Sequence, residues 1–252
     1  MAFVLYAGLA LLVLLVGRGV IAQDWRSASQ EPVGLAPDPA STPGAVVQVY
    51  GARTWGWRGS FGVHTWVAVK PAGAGSYLVY EVIGWRLRWA DSVVAIHPRA
   101  PDARWYGNEP ELYADKRGEE AEKLIARIDA AARSYPYANE YTAWPGPNSN
   151  TFTAWITRAV PELGVDLPPT AIGKDYLAGS VIDSAPSGSG VQISLGGVFA
   201  LTLSGVEGLE INLFGLTFGV NPFDPALKLP LLGRLGPARA LLRESADSQP
   251  PP

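Results

Sequence analysis

The sequence predicts an α+β fold, in which a small antiparallel sheet packs with one long and one short helix and is followed by a C-terminal glycine-rich β segment. Three observations carry this expectation. β-branched and aromatic runs recur between residues 45 and 97, separated by Gly, Pro and Asp. The stretch GEEAEKLIARIDAAARS, residues 118–134, places its apolar side chains at helical spacing. Beyond residue 186 the chain turns to short apolar alternations broken by glycine. With only 17% charged residues and abundant Gly, Pro and Trp, the composition suits a loop-rich domain better than a helical bundle.

Taken in order, residues 2–22 are almost wholly apolar, a run of about twenty residues that reaches across a bilayer. Two readings stand: a transmembrane anchor, or a signal peptide in which Val20 and Ala22 supply the small residues before a cleavage site. Arg18, which interrupts the run after Val16, and Arg26 beyond it are its basic residues and none precedes it, which by the positive-inside tendency would leave the C-terminal part in the cytoplasm. Residues 23–44 contain Pro32, Pro37, Pro39 and Pro43 and read as a semi-extended linker. Strands are expected at 45–50, 63–70, 77–84 and 92–97, the long helix at 118–134 and the short one at 152–160. The core is thus bounded at 45–180. A β-rich extension packed on it occupies 181–236, with strands at 191–195, 198–203, 209–213 and 216–220 forming two hairpins or a small sheet. Residues 222–230 read as extended, 238–243 as one helical turn, and 237–252 as a disordered tail.

Composition excludes several function classes. A net charge of −3 and a pI near 5.5 leave no basic footprint for nucleic acid. The chain has no cysteine, which removes disulfides, thiolate nucleophiles and iron–sulfur clusters. Its two histidines lack the spacing of a zinc site, and Ser187-Gly188-Ser189-Gly190 lacks the lysine and helix of a phosphate loop, so neither a metal nor a cofactor is expected.

The densest polar stretch runs from Trp144 to Phe152, WPGPNSNTF. Pro145, Gly146 and Pro147 exclude a helix up to that point, and Asn148, Ser149, Asn150 and Thr151 are all competent N-caps. One cap suffices for one helix. A loop that delivers four caps therefore reads either as a tight hydrogen-bonded network or as a site in which Ser149 carries a reactive hydroxyl. A serine needs a base, and the base falls to His64, which shares a strand face with Trp66, or to His97 in the loop before Pro98. His64 also reads as a half-buried histidine bonded to backbone. Glu81, on the next strand, is the candidate third group that orients the imidazole; a solvated strand carboxylate is the alternative. Trp66, Trp144, Asn148, Asn150 and Thr151 are the candidate substrate-binding residues, the tryptophans serving otherwise as packing.

Phe61-Gly-Val-His-Thr-Trp66, the 144–152 stretch, Leu167-Pro-Pro-Thr-Ala-Ile-Gly-Lys-Asp175 and Lys228-Leu-Pro230 with Gly233-Arg234 together resemble an uncharacterised bacterial envelope family, domain of unknown function 3750, from about residue 45 to 236. The order of a histidine strand, further strands, a helix and then Asn-Ser-Asn-Thr-Phe at a helix start is similar to the circularly permuted papain-like hydrolases of NlpC and lecithin–retinol-acyltransferase type. That likeness implies His64 as base and Ser149 in the place of the family's cysteine. A helix dipole stabilises a thiolate and does not make an alkoxide, so the exchange leaves two expectations. One is a serine/histidine hydrolase acting on a peptide, amide or acyl bond of an envelope substrate, with Ser149 attacking, His64 relaying the proton and N–H groups near Asn150 and Thr151 holding the oxyanion. The other is a non-catalytic module that binds a cell-wall peptide, lipid or partner protein in the same groove. A third, purely structural reading makes the 186–220 segment an assembly surface. Each places the protein at the bacterial inner membrane through residues 2–22, with the folded domain on the periplasmic side.

Overall fold

The computed structural model describes residues 26–237 and, apart from them, Gly8. It is a mixed α+β structure with two antiparallel sheets and, among the described residues, two α-helices. None of the described helices is long and apolar enough to cross a membrane. The expected anchor or signal at 2–22, the helical turn at 238–243 and the tail lie outside the described residues, Gly8 excepted.

The first sheet has the strand order β4-β3-β2-β1-β5 and comprises β1 (Val46–Arg53), β2 (Val63–Lys70), β3 (Leu78–Val82), β4 (Val94–Pro98) and β5 (Glu111–Arg117). Four of these strands fall where β-branched runs predict them. β5 does not, because its sequence ELYADKR mixes charge with apolar residues; it forms by pairing its backbone with β1, across a register shift at Val49/Tyr50. Helix α1 (Gly118–Arg133) has Glu119 and Glu120 in its first turn and Arg133 in its last, the arrangement a helix dipole favours. It buries Ala121, Leu124, Ile128, Ala131 and Ala132 against the sheet and against helix α2 (Ser149–Ala159). The two helices are further joined by Trp155, whose Nε1 donates to the Ala131 carbonyl at 2.8 Å, and by Tyr135, whose ring meets Phe152 edge-on at 5.1 Å.

Strand alternation gives this sheet two unlike faces. Val47, Val49, Val67, Val69, Tyr80 and Val82 point to the helices and form the main core. Tyr50, Ala52, Trp66, Ala68 and Val79 point the other way and are covered by Tyr77, Trp105, Leu112 and Ala36. The described part of the expected semi-extended linker, residues 26–44, is largely irregular with one 3-10 turn at Pro39–Ser41, and it docks on this second face: Asp102 Oδ2 accepts from Leu35 and Ala36 N–H at 2.6 and 3.2 Å, and Tyr77 donates to the Pro37 carbonyl.

The second sheet is a meander of seven strands in sequence order: β6 (Ile182–Asp183), β7 (Val191–Leu195), β8 (Phe199–Ser204), β9 (Gly208–Leu213), β10 (Leu216–Asn221), β11 (Ala226–Leu229) and β12 (Gly233–Leu235). Gly196 and Gly197, both at positive φ, close the β7–β8 hairpin in the geometry such turns require. Of the two expectations, paired hairpins or a small sheet, the second is found; with β11 contributed by the extended stretch 222–230, the sheet is larger than expected. Its alternation is inverted relative to a usual core sheet. Gln192, Ser194, Thr202, Ser204, Glu210 and Asn212 are buried against the rest of the molecule, while Val191, Ile193, Leu201, Leu203, Leu209 and Ile211 face outward.

Candidate functional site

Helix α2 starts three residues earlier than its apolar periodicity predicts, because Asn148 caps it. Asn148 Oδ1 accepts from the N–H groups of Asn150 (2.9 Å) and Thr151 (3.2 Å), and Thr151 Oγ1 accepts in return from Asn148 N–H at 3.1 Å, a complete capping box. The remaining caps tie other segments together. Asn148 Nδ2 donates to the carbonyls of Ala143 and Ile172, Asn150 Nδ2 to those of Val63 and Ile172, and Thr151 Oγ1 to that of Gly173. Both N–H groups of each amide are thereby engaged, so neither side chain is left to hold an oxyanion. Gly173 is required here: at φ +100, a Cβ on it would lie 2.3 Å from Asn148 Nδ2. Trp144 is half exposed and donates from Nε1 to the Phe214 carbonyl at 3.1 Å, which links the loop to the second sheet.

The β2 residue that meets this helix start is Thr65. Its Oγ1 lies 3.0 Å from Asn150 Oδ1, 2.9 Å from Thr153 Oγ1 and 3.4 Å from the Ser149 carbonyl oxygen. His64, one residue earlier on the strand, points to the opposite face. The sheet backbone therefore separates the two residues that the sequence reading joined, His64 and Ser149.

His64 belongs to a different cluster, centred on Glu81 of β3. Glu81 is fully buried; its Oε2 lies 2.8 Å from His64 Nε2 and its Oε1 2.8 Å from His97 Nε2, with Arg99 Nε at 3.6 Å. The Trp105 ring stacks on His64 at 3.7 Å between centroids, Trp66 lies at 5.6 Å, and the Arg99 guanidinium sits over Trp66. Burial alone would raise the Glu81 pKa, but the hydrogen bonds from His64 and His97 and the Arg99 charge more than reverse it and hold the carboxyl well below its ordinary range. For His64 burial dominates and lowers the pKa, against the opposing pull of Glu81. A neutral imidazole beside an ionised carboxylate donates from Nε2, which leaves the lone pair on Nδ1. The pairing of His64 with Glu81 is on adjacent strands as the sequence suggested. The share taken by His97 was not foreseen, although its place on β4, opposite Val79, follows once β3 and β4 pair.

A second polar cluster, missed by sequence reasoning, lies under the second sheet. Glu210 pairs with Lys174 and, at 2.7 Å, with Lys228; Lys228 also meets Asp166 Oδ1 at 2.6 Å. Asp175 accepts from Gln192 Nε2 (2.6 Å) and Asn212 Nδ2 (2.7 Å), and Arg158 donates to Gln192 Oε1 at 2.6 Å. Burial would lower the Lys174 pKa, but Glu210 and Asp175 more than offset it and raise it; Glu210 is lowered in turn by the two lysines. The signal in the sequence was the polar member of each alternation in β7 to β11.

A groove of about 360 Å³ opens at the seam between the sheets, lined by Arg53, Glu111, Asp166, Thr170, Lys228 and Arg234 among others. It contains neither His64 nor Ser149. Among the described residues no group of three or more His, Asp or Glu side chains is placed to hold a metal ion.

No curated protein and no solved structure matches the chain. The family described as "Protein of unknown function (DUF3750)" matches residues 44–176, from the start of the first sheet through Lys174 and Asp175, and stops before the second sheet. Since that match covers more than half of the 252 residues, the chain belongs to the DUF3750 family of proteins of unknown function.

Proposed function

We propose that this chain is a non-catalytic binding module of the bacterial envelope, one that keeps a papain-like order of strands and helices and works through the outer face of its second sheet. The observation that carries the reading is Thr65 at the start of α2, where a serine nucleophile would need a base. A threonine hydroxyl has no basic nitrogen, and proton transfer requires hydrogen-bond reach. Residues 2–22 hold the module at the inner membrane in this reading, with the folded part on the periplasmic side. An apolar outer face favours a lipid or protein surface over a polar cell-wall peptide as the ligand.

The second reading is the serine/histidine hydrolase, and the close His64–Glu81 pair favours it, since such a carboxylate orients an imidazole base. Labelling with a serine-directed fluorophosphonate separates the two. Wild type and Ser149→Ala are expected to label equally, at background; labelling that disappears with Ser149 establishes the hydrolase and removes the non-catalytic reading.

A further inference from the structure

We propose that the outer face of the second sheet is covered by a second copy of this chain, the two sheets packing face to face as a two-fold symmetric β-sandwich. The inference rests on the reading of that face as the working surface, and it names the partner. Along β7 to β10 the outward side chains are Val, Ile, Leu and Phe, ranging from 38% exposed at Phe218 to 61% at Leu203. Together they present on the order of 1,000 Å² of apolar surface, against roughly 300–600 Å² for the largest patch of an ordinary monomer. A stable complex buries roughly 800 Å² on each partner, so the face alone is large enough for one half of a dimer.

Three features select a second copy over other apolar partners. The outward positions of β7 to β10 carry no charge, so two identical faces meet without like-charge repulsion, as an isologous contact requires. The edges of the sheet are short, β6 with two residues and β12 with three, which discourages growth by strand addition and leaves the face as the means of association. The charges of residues 181–236 are mainly acidic. Glu207, Glu210 and Lys228 are buried on the inner face, and Arg234 pairs with Asp224 at 2.8 Å, so this segment offers exposed Asp183 and no unpaired basic side chain. A face resting on anionic lipid is instead bordered by basic side chains. Two such sheets pack roughly 10 Å apart with their Leu, Ile and Phe side chains interleaved.

The absence of cysteine makes the test direct, because one introduced thiol is the only one in the chain. Ile211 lies in the middle strand, paired with Leu201 on one side and Phe218 on the other. The full-length Ile211→Cys protein is treated in intact cells with a bis-maleimide able to span the roughly 10 Å between packed sheets. The expected product has twice the mass of the chain, with both cross-linked peptides from this sequence. Lys123→Cys, on the exposed side of α1, gives none. Adding Leu201→Glu to the Ile211→Cys chain reduces the product to background, with the circular dichroism of the purified protein unchanged.

No doubled product overturns the proposal, and a product containing a different protein overturns it in that partner's favour. If a fluorophore on the Ile211→Cys chain is instead quenched by brominated phospholipid, the occupant is lipid: the working surface stands and the second copy is removed. Ser149-dependent fluorophosphonate labelling removes the non-catalytic reading and leaves the cross-link unaffected, so the two failures are distinguishable.

Discussion

In the first sheet, Val47, Val49, Val67 and Val69 face the helices and are fully buried, so the hydrophobic effect and the hydrogen-bond ladder favour the same packing. In the second sheet the same two-residue period turns Gln192, Thr202, Glu210 and Asn212 inward and leaves Val191, Leu201, Ile211 and Leu203 in solvent. The first sheet is held by the surface it removes from water. The second is held by ion pairs and amide hydrogen bonds, interactions that specify geometry but contribute little net stability compared with apolar groups of the same shape. Its apolar surface remains available for association. The two-residue period is common to both regions; what differs is the chemistry of the layer each one packs against.

The largest expected effect comes from breaking the buried ionic layer. Glu210→Ala leaves Lys174 and Lys228 in a site where their side chains are 1% exposed. Lys228 keeps Asp166, but Lys174 is left with Asp175 alone, at 3.9 Å; removing one partner of a buried ion pair costs about 3–5 kcal/mol, which denaturant unfolding would detect as a large fall in the midpoint. Replacing Lys174, Glu210 and Lys228 together by Met, with Asp166→Asn so that the carboxylate facing Lys228 is neutralised as well, is expected to restore most of that loss. If the single variant unfolds like wild type, the inner face of the second sheet is not held by these ion pairs.

How much of this was legible follows from what alternation encodes. The β-branched runs of β1 to β4 and the amphipathic α1 are local patterns and are read directly. β5 is not, because ELYADKR is ordered by its pairing with β1 and not by its own propensity. The start of α2 was masked by four adjacent caps, and only the reciprocal bonds of Asn148 and Thr151 show which one acts. His64 and Trp66 share a face of β2 as their spacing predicts, but the sequence does not say which face receives α2, and the separation of His64 from Ser149 depends on that alone. The inward turn of Gln192 and Glu210 was hidden for a similar reason, since their partners Asp175 and Lys174 lie outside the sheet, 17 and 36 residues away in sequence.

The buried polar exception in the first sheet gives an intermediate, pH-dependent effect. Burial lowers the folded pKa of His64 from 6.5, so as pH falls below that value the unfolded chain takes up a proton that the folded chain refuses, and stability falls. Glu81, lowered from 4.5, adds a further loss in the same direction below pH 4.5, as the unfolded carboxyl protonates first. Wild type is therefore expected to lose stability through His64 as pH falls from about 7.5 to about 5.5, and His64→Gln to show a flatter profile across that interval. Unfolding free energies measured along the two profiles decide this; identical slopes would mean that His64 titrates alike in both states.

The smallest expected effect, that of Val191→Thr, belongs to the most direct comparison of the sheets, because one substitution can be made in each. Val67→Thr places a hydroxyl of nearly the same shape at a fully buried position of β2, with no partner provided for it, and is expected to cost about 1–3 kcal/mol. Val191→Thr makes the same change on the outer face of β7, at 44% exposure, and is expected to stay within about 0.5 kcal/mol for the isolated chain. Measuring both over a wide range of protein concentration sharpens the contrast. The deficit of Val67→Thr is a property of the fold and should not depend on dilution. Any deficit of Val191→Thr arises from association and should shrink as the protein is diluted, because coupling to a partner scales with its concentration. A Val191→Thr deficit as large and as dilution-independent as that of Val67→Thr would mean that the outer face is packed within the single chain, and the distinction between the two sheets would be lost.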